Sequence, residues 1–178
     1  MYNFHEDLES LASQFKANEQ PATEQDFEAF VEEIKRYGVS NPAIPEQLEA
    51  LWKIASEWHL IDDNYDVFGF NIYGPKTIVQ TTKNVFGDED IRKEWVSDHG
   101  NESCGGADWL CLAGYTEYDY IFMNFNRQSD LFGATRHMVN NCNEDEELTK
   151  RPFANFVGYI KTHIENFKEE EVEGEEEI

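Results

Sequence analysis

One stretch, residues 108–126, restricts the possible folds of this chain more than any other. It reads Asp-Trp-Leu-Cys-Leu-Ala-Gly-Tyr-Thr-Glu-Tyr-Asp-Tyr-Ile-Phe-Met-Asn-Phe-Asn. Two apolar runs, 109–113 and 120–125, flank a turn-prone segment at 114–119, the pattern of a β-hairpin with a longer loop. Neither run alternates cleanly. In the second, Ile121, Met123 and Phe125 face one way while Tyr120 and Phe122 face the other. A strand that is apolar on both sides needs cover on both sides, so the hairpin is expected at the middle of a sheet. The aromatic enrichment and short length favour strands over a buried helix.

The chain before this hairpin reads largely as helix. Leu8, Leu11, Ala12 and Phe15 recur at helical spacing. A second helix is expected after Thr23, which stands as N-cap with Asp26 as its capping-box partner. Phe27, Phe30, Val31 and Ile34 form its apolar face, and Gly38 its C-terminal glycine. Pro45 suits the first position of a third helix, with Leu48, Leu51, Trp52 and Ala55 inward and Trp58 near its end. Trp52 and Trp58 are both expected in the core. The period then changes to two at 67–73, a strand ending at Gly74-Pro75. Residues 76–82 are rich in β-branched side chains and are expected to pair with it as a hairpin. A short helix is expected over 88–96 with Ile91 and Trp95 inward, then a polar loop over 97–107. A further strand is expected at 131–139 and an acidic loop at 140–149. Pro152 opens a closing helix that buries Phe153, Phe156, Val157, Ile160 and Ile164.

Helices first, strands in the middle and a helix last argue for an α+β fold. Its mainly antiparallel central sheet would carry the N-terminal helices and the closing C-terminal helix packed on it. Residues 1–20 read as an N-terminal helical extension and 21–167 as the α+β domain. The end, 168–178, holds seven glutamates in eleven residues and reads as a disordered acidic tail.

Charge narrows the function. Among 178 residues, 14 are basic and 37 acidic, a formal charge of −23. Such a surface repels phosphate backbones and anionic membranes and attracts basic partners. Nucleic acid and membrane are therefore disfavoured as partners. The start lacks a basic region followed by an apolar run, and no apolar stretch nears the ~18 residues of a bilayer span. Three cysteines give no disulfide framework, so a cytoplasmic protein with reduced thiols is expected.

Catalytic and metal chemistry find little support. His99, Cys104, Cys111 and Cys142 match no zinc-ligand spacing, and Cys111 between two leucines reads as a core residue. A nucleophilic Cys104 with His99 or His137 as base is the one enzymatic alternative, against a plain Cys-Gly-Gly turn before a strand. Neither a cofactor nor a metal is expected, and the chain is not expected to be an enzyme.

A binding role has better material. Tyr115, Glu117, Tyr118, Asp119 and Tyr120 mix tyrosine with carboxylate at the tip of the proposed hairpin. Tyrosine is enriched at interfaces because it buries area while keeping a polar tip. Tyr65 and Asp66 would extend the patch if their strand lies alongside.

The order of these pieces resembles the SUKH superfamily, which includes fungal cell-wall assembly regulators and bacterial toxin-immunity proteins. The residues that carry the resemblance are the acidic helix Glu28-Ala-Phe-Val-Glu-Glu-Ile-Lys-Arg-Tyr-Gly38 and the opening Ala43-Ile-Pro-Glu-Gln-Leu-Glu-Ala-Leu-Trp52. The strand at 65–73, the paired strands around Gly114, and Phe153-Ala-Asn-Phe-Val-Gly-Tyr-Ile160 complete the match over about residues 24–165. Where the family often carries Asn-Gly, this chain has Ala55-Ser-Glu-Trp-His59, and its segment 84–107 is long for the family. The resemblance implies a cytoplasmic immunity protein that binds and neutralises a cognate toxin, many such toxins being nucleases with basic clefts. An interaction scaffold or regulator of the same fold is the alternative. No catalytic residues carry over from the family.

Overall fold

A computed structural model describes residues 3–14, 20–61, 69–99, 106–114, 119–139, 143–144, 151–153, 157–158 and 161. Helices α1 (Phe4–Gln14), α2 (Glu24–Tyr37) and α3 (Glu46–Trp52) lead into strands β1 (Trp58–Ile61) and β2 (Gly69–Ile72). Helices α4 (Ile78–Phe86) and α5 (Glu89–His99) follow. Strands β3 (Trp109–Gly114), β4 (Asp119–Asn124) and β5 (Ala134–Val139) come next, with two-residue strands β6 (Asn143–Glu144) and β7 (Arg151–Pro152). The fold is α+β. Its sheet runs β1-β2-β3-β4-β5-β6, with β7 also on β5, and every described pairing is antiparallel.

β3 and β4 are indeed the centre, and all six residues of β3 are buried. Leu110 lies opposite Met123 and Cys111 opposite Phe122, then the register shifts between Cys111 and Ala113. The extra residue of that bulge, Leu112, breaks the alternation of faces. Leu112 and Ala113 consequently both join the larger core, together with Leu110, Ile121, Met123 and Phe125. α1, α2 and α3 supply the opposing layer through Leu11, Phe30, Ile34, Leu51 and Trp52. Phe30 holds the layers together, edge-on to Trp52 at 5.3 Å and to Phe125 at 5.4 Å. Such aromatic pairs add about 0.5–1.5 kcal/mol each beyond the area they bury. On the reverse face Trp109, Cys111, Phe122 and Ala134 make a second, smaller core under Val85, Phe86 and Leu131.

The edges of β3 explain α4 and α5. β2 reaches β3 only at Asn71–Gly114 and Ile72–Ala113, with Tyr73 N–H donating to the Leu112 carbonyl. The rest of that edge is closed by helix side chains. Cys111 N–H donates to Thr82 Oγ1 at 2.9 Å, while Thr82 donates to the Ile78 carbonyl within α4. Arg92 of α5 donates through Nη2 to the carbonyls of Gly106, Ala107 and Trp109 at 2.6, 2.6 and 2.8 Å. Its guanidinium lies 4.3 Å from the centre of the Tyr37 ring. Burial pushes its pKa down from the ordinary arginine value, an effect countered by Tyr37 and Asp108.

Six sequence-based expectations change here. Residues 76–82 do not form a strand: Ile78, Val79, Thr82, Val85 and Phe86 follow the helical period, and that pattern is complete only beyond Thr82. The third helix stops at Trp52, so Trp58 belongs to β1 opposite Ile72, although both tryptophans are buried as expected. α5 turns Arg92 inward, at 1% exposure, and leaves Ile91 55% exposed, because the β3 edge needs donors more than apolar cover. Residues 131–133 are a turn, and Pro152 lies in β7, with helical backbone recorded at Phe153, Val157, Gly158 and Lys161. Pro45 sits one place earlier than expected, as the N-cap of α3. The side chain of Trp95 and the acidic end 168–178 lie outside the described residues.

The ends of α2 match the sequence reading. Thr23 and Asp26 form a complete capping box, and Gly38 closes the helix in the left-handed region at φ 115°. A side chain with a Cβ adopts that conformation only with strain. Lys76 adds an ion pair to Asp26 at 3.0 Å. α1 joins the same core through Phe4, Leu8 and Leu11, and Phe4 lies 6.2 Å from Phe153.

Two outcomes follow for stability. The Asp26 carboxyl is held at about 2 by the Thr23 N–H, then the Thr23 hydroxyl, then Lys76. A depressed carboxyl contributes stability above its unfolded pKa of about 3.9 and loses it as pH falls through the folded value. Asp26→Asn should therefore lower the thermal midpoint at pH 7, with the gap to the wild type closing between about pH 4 and pH 2. Arg92→Met leaves three carbonyls without their donor. Urea denaturation should show a loss of about 3 kcal/mol or more, as for breaking other buried charged networks.

Candidate functional site

Of the sequence candidates the described residues include only Tyr120 and the backbone of Asp119, which open β4 at one end of the sheet. Gly114 pairs with Tyr120 there, and Asn71 of β2 pairs with Gly114 from the other side. Asp119 opens β4 opposite Val139, and its side chain is outside the described set. Tyr120 is half-buried, meets Phe122 edge-on at 6.4 Å, and packs on the smaller core. Part of its ring is thus committed to the fold. Tyr115, Glu117, Tyr118, Tyr65 and Asp66 lie outside the described residues.

A row of polar groups leads to this end along β1 and β2. His59 Nδ1 and Asn71 Oδ1 face each other across the strands at 2.7 Å. Glu57 accepts from the Thr77 hydroxyl, and its other oxygen is 4.0 Å from His59. Beside the row, Tyr73 is half-buried between the two cores, and desolvation pushes its hydroxyl up to about 12, with smaller contributions from Cys111, Tyr120 and Glu57. Tyr73 is neutral at physiological pH and can donate a hydrogen bond.

A concavity lies at the opposite end of the sheet, and sequence reasoning missed it. The turn between β4 and β5 folds back against the start of α3 and leaves a groove of about 470 Å³. Gly133 makes this approach possible. It takes φ +73°, and a Cβ there would come within 3.3 Å of Pro45 Cβ. Pro45, Leu131, Phe132 and Phe153 supply apolar walls, with Glu46 and Asp130 beside them. The groove joins segments more than 80 positions apart, which no local motif announces. The one legible trace was Pro45 at the start of a helix.

Cys111 is fully buried, as expected of a core residue, and desolvation pushes its thiol well above the ordinary thiol range. His99 and His137 have described backbones but no described side chains, and Cys104 and Cys142 lie outside the described residues. Among the described residues no group of three or more His, Cys, Asp or Glu side chains could hold a metal ion. Among the same residues no helix is long and apolar enough to cross a membrane.

Compared with known proteins, the chain matches no family model and no curated relative.

Burial at Cys111 has a direct chemical consequence. In the native protein iodoacetamide should leave Cys111 unmodified, whereas unfolding in denaturant should expose it to full alkylation, as read by mass spectrometry of its peptide. Fast modification of native Cys111 would contradict the buried position of β3.

Proposed function

We propose that this chain is a cytoplasmic immunity protein that neutralises a basic protein toxin by binding it. The observation that carries the reading is the formal charge of −23. Solubility of a small domain is served by a net charge of about 2–8, so this excess calls for another role. Part of it stands on the helical layer, where Glu6, Glu9, Glu28 and Glu32 are exposed on α1 and α2. Among the described residues the neutralising pairs are few by comparison: Lys53 with Glu24 and Glu49, Lys76 with Asp26, Lys93 with Asp90 and Lys161 with Asp7. An uncompensated field of this kind draws in a basic partner and raises its association rate.

The resemblance to the SUKH superfamily supports the immunity role, and a nuclease toxin would offer the basic cleft that such a surface suits. The proposed contact is the β3–β4 turn, with Tyr115, Tyr118 and Tyr120 as apolar anchors and Glu117 and Asp119 as charged flanks, extended by Tyr65 and Asp66. No catalytic step is assigned to the chain.

Binding kinetics against a toxin domain encoded beside this chain test the reading. Association should slow by tenfold or more (about 10–10³ is the range of such steering) as salt rises from low to high ionic strength. Glu117→Lys and Asp119→Lys should slow association, while Tyr118→Ala should speed dissociation at a cost of about 1–3 kcal/mol. Co-expression should restore growth to cells that make the toxin. Salt-independent association together with no protection would overturn the proposal.

A further inference from the structure

We infer that the groove between α3 and the β4–β5 turn is a receptor for an arginine side chain, presented next to an apolar residue by a basic protein partner. The inference rests on the reading above in taking that partner to be basic, but it names a different surface, at the far end of the sheet from the β3–β4 turn.

The groove has the size and the lining for this. Its volume, about 470 Å³, lies within the ~300–1,000 Å³ typical of ligand clefts. That exceeds one side chain and suits an arginine with its neighbour. Pro45, Ala134 and Phe153 are buried and form the floor, while Leu131 and Phe132 are half-buried walls. A guanidinium carries a long apolar stem and a flat face that stacks on an aromatic ring.

Charge then selects the occupant. Among the described lining residues two are carboxylates, Glu46 and Asp130, and none is a lysine or arginine. Both are exposed, and neither has an ion-pair or hydrogen-bond partner among the described residues. Glu49 and Glu24, by contrast, are already engaged with Lys53. An anionic ligand would be repelled here, and a wholly apolar one would leave the carboxylates unused. A second copy of the chain would bring another −23 to the contact. Arginine satisfies all three conditions, because its fork can bind carboxylate in two places while the stem covers the floor.

The probe is N-acetyl-leucyl-arginine amide, titrated into the isotope-labelled full chain and followed by amide shifts. A matched peptide with citrulline, neutral but of nearly the same shape, serves as control. Saturable shifts should centre on Gln47, Gly133 and Ala134. The citrulline peptide should bind several-fold more weakly. Glu46→Gln with Asp130→Asn should weaken the arginine peptide about fivefold, leave the citrulline peptide unchanged, and leave the thermal midpoint unchanged, since both carboxylates are exposed. Phe132→Ala should weaken both peptides. Shifts scattered over the acidic surface, or equal affinity for both peptides, would overturn the inference. Concentration-dependent shifts of the same amides without peptide would mark a second copy as occupant and would overturn it too. The outcomes separate from those of the functional proposal. Peptide binding in the groove without any toxin binding removes the immunity role alone, and toxin binding with a silent groove removes this inference alone.

Discussion

A strand that is apolar on both faces must be covered on both faces and satisfied along both edges, and β3 is such a strand. β4 takes one edge in full. Along the other, two residues of β2, the hydroxyl of Thr82 and the guanidinium of Arg92 share the work. A buried arginine is costly to desolvate, and it persists here because three carbonyls and the Tyr37 ring surround it. The hairpin is closed at its base by its own first and last residues, Asn126 Nδ2 donating to Asp108 Oδ2 at 2.9 Å. Asp108 also accepts from Ser40 N–H, which fastens the loop after α2 to the same point. Helical layer, sheet and edge helices therefore meet at β3.

This arrangement explains which parts of the fold were legible in the sequence. Residues 109–113 and 120–125 betrayed themselves because a strand of two-sided apolar character must be covered on both faces, which leaves few solutions. The ends of α2 were legible because capping chemistry is local: Thr23, Asp26 and Gly38 act within four residues of their partners. α4 was misread because Ile78, Val79, Thr81 and Thr82 are β-branched, and β-propensity yields to packing when Val85 and Phe86 complete a helical face. Arg92 was invisible for a different reason. Nothing in the sequence around it says that a strand edge 17 residues later lacks donors. Trp58 was assigned to the right environment and the wrong element, since burial of a tryptophan does not depend on the period of its neighbours.

The proposed binding surfaces were legible only in part. Net charge is a property of the whole chain and can be counted, so the proposal of a basic partner could be argued before any geometry. A groove cannot. It arises where Gly133 lets a turn approach Pro45, and each contributing residue is unremarkable alone. The two ends of the sheet thus differ in kind. The sequence joining β3 to β4 carries tyrosines and carboxylates on one continuous stretch, whereas the α3 end offers a concave site assembled from distant segments. A partner held at both ends would span the sheet lengthwise, with the long-range field guiding approach and the concave site fixing the register.

Native-state hydrogen exchange of the β3 and β4 amides tests the central place of this hairpin most directly. The amides of Cys111, Phe122 and Met123 should exchange only through global unfolding, with a protection free energy equal to that from denaturant titration. In Thr82→Val, which removes the acceptor of Cys111 N–H, protection should fall first and most at Cys111. Exchange of Cys111, Phe122 and Met123 as fast as that of exposed turns, in an otherwise folded protein, would show that the hairpin is not the centre on which the rest of the chain is built.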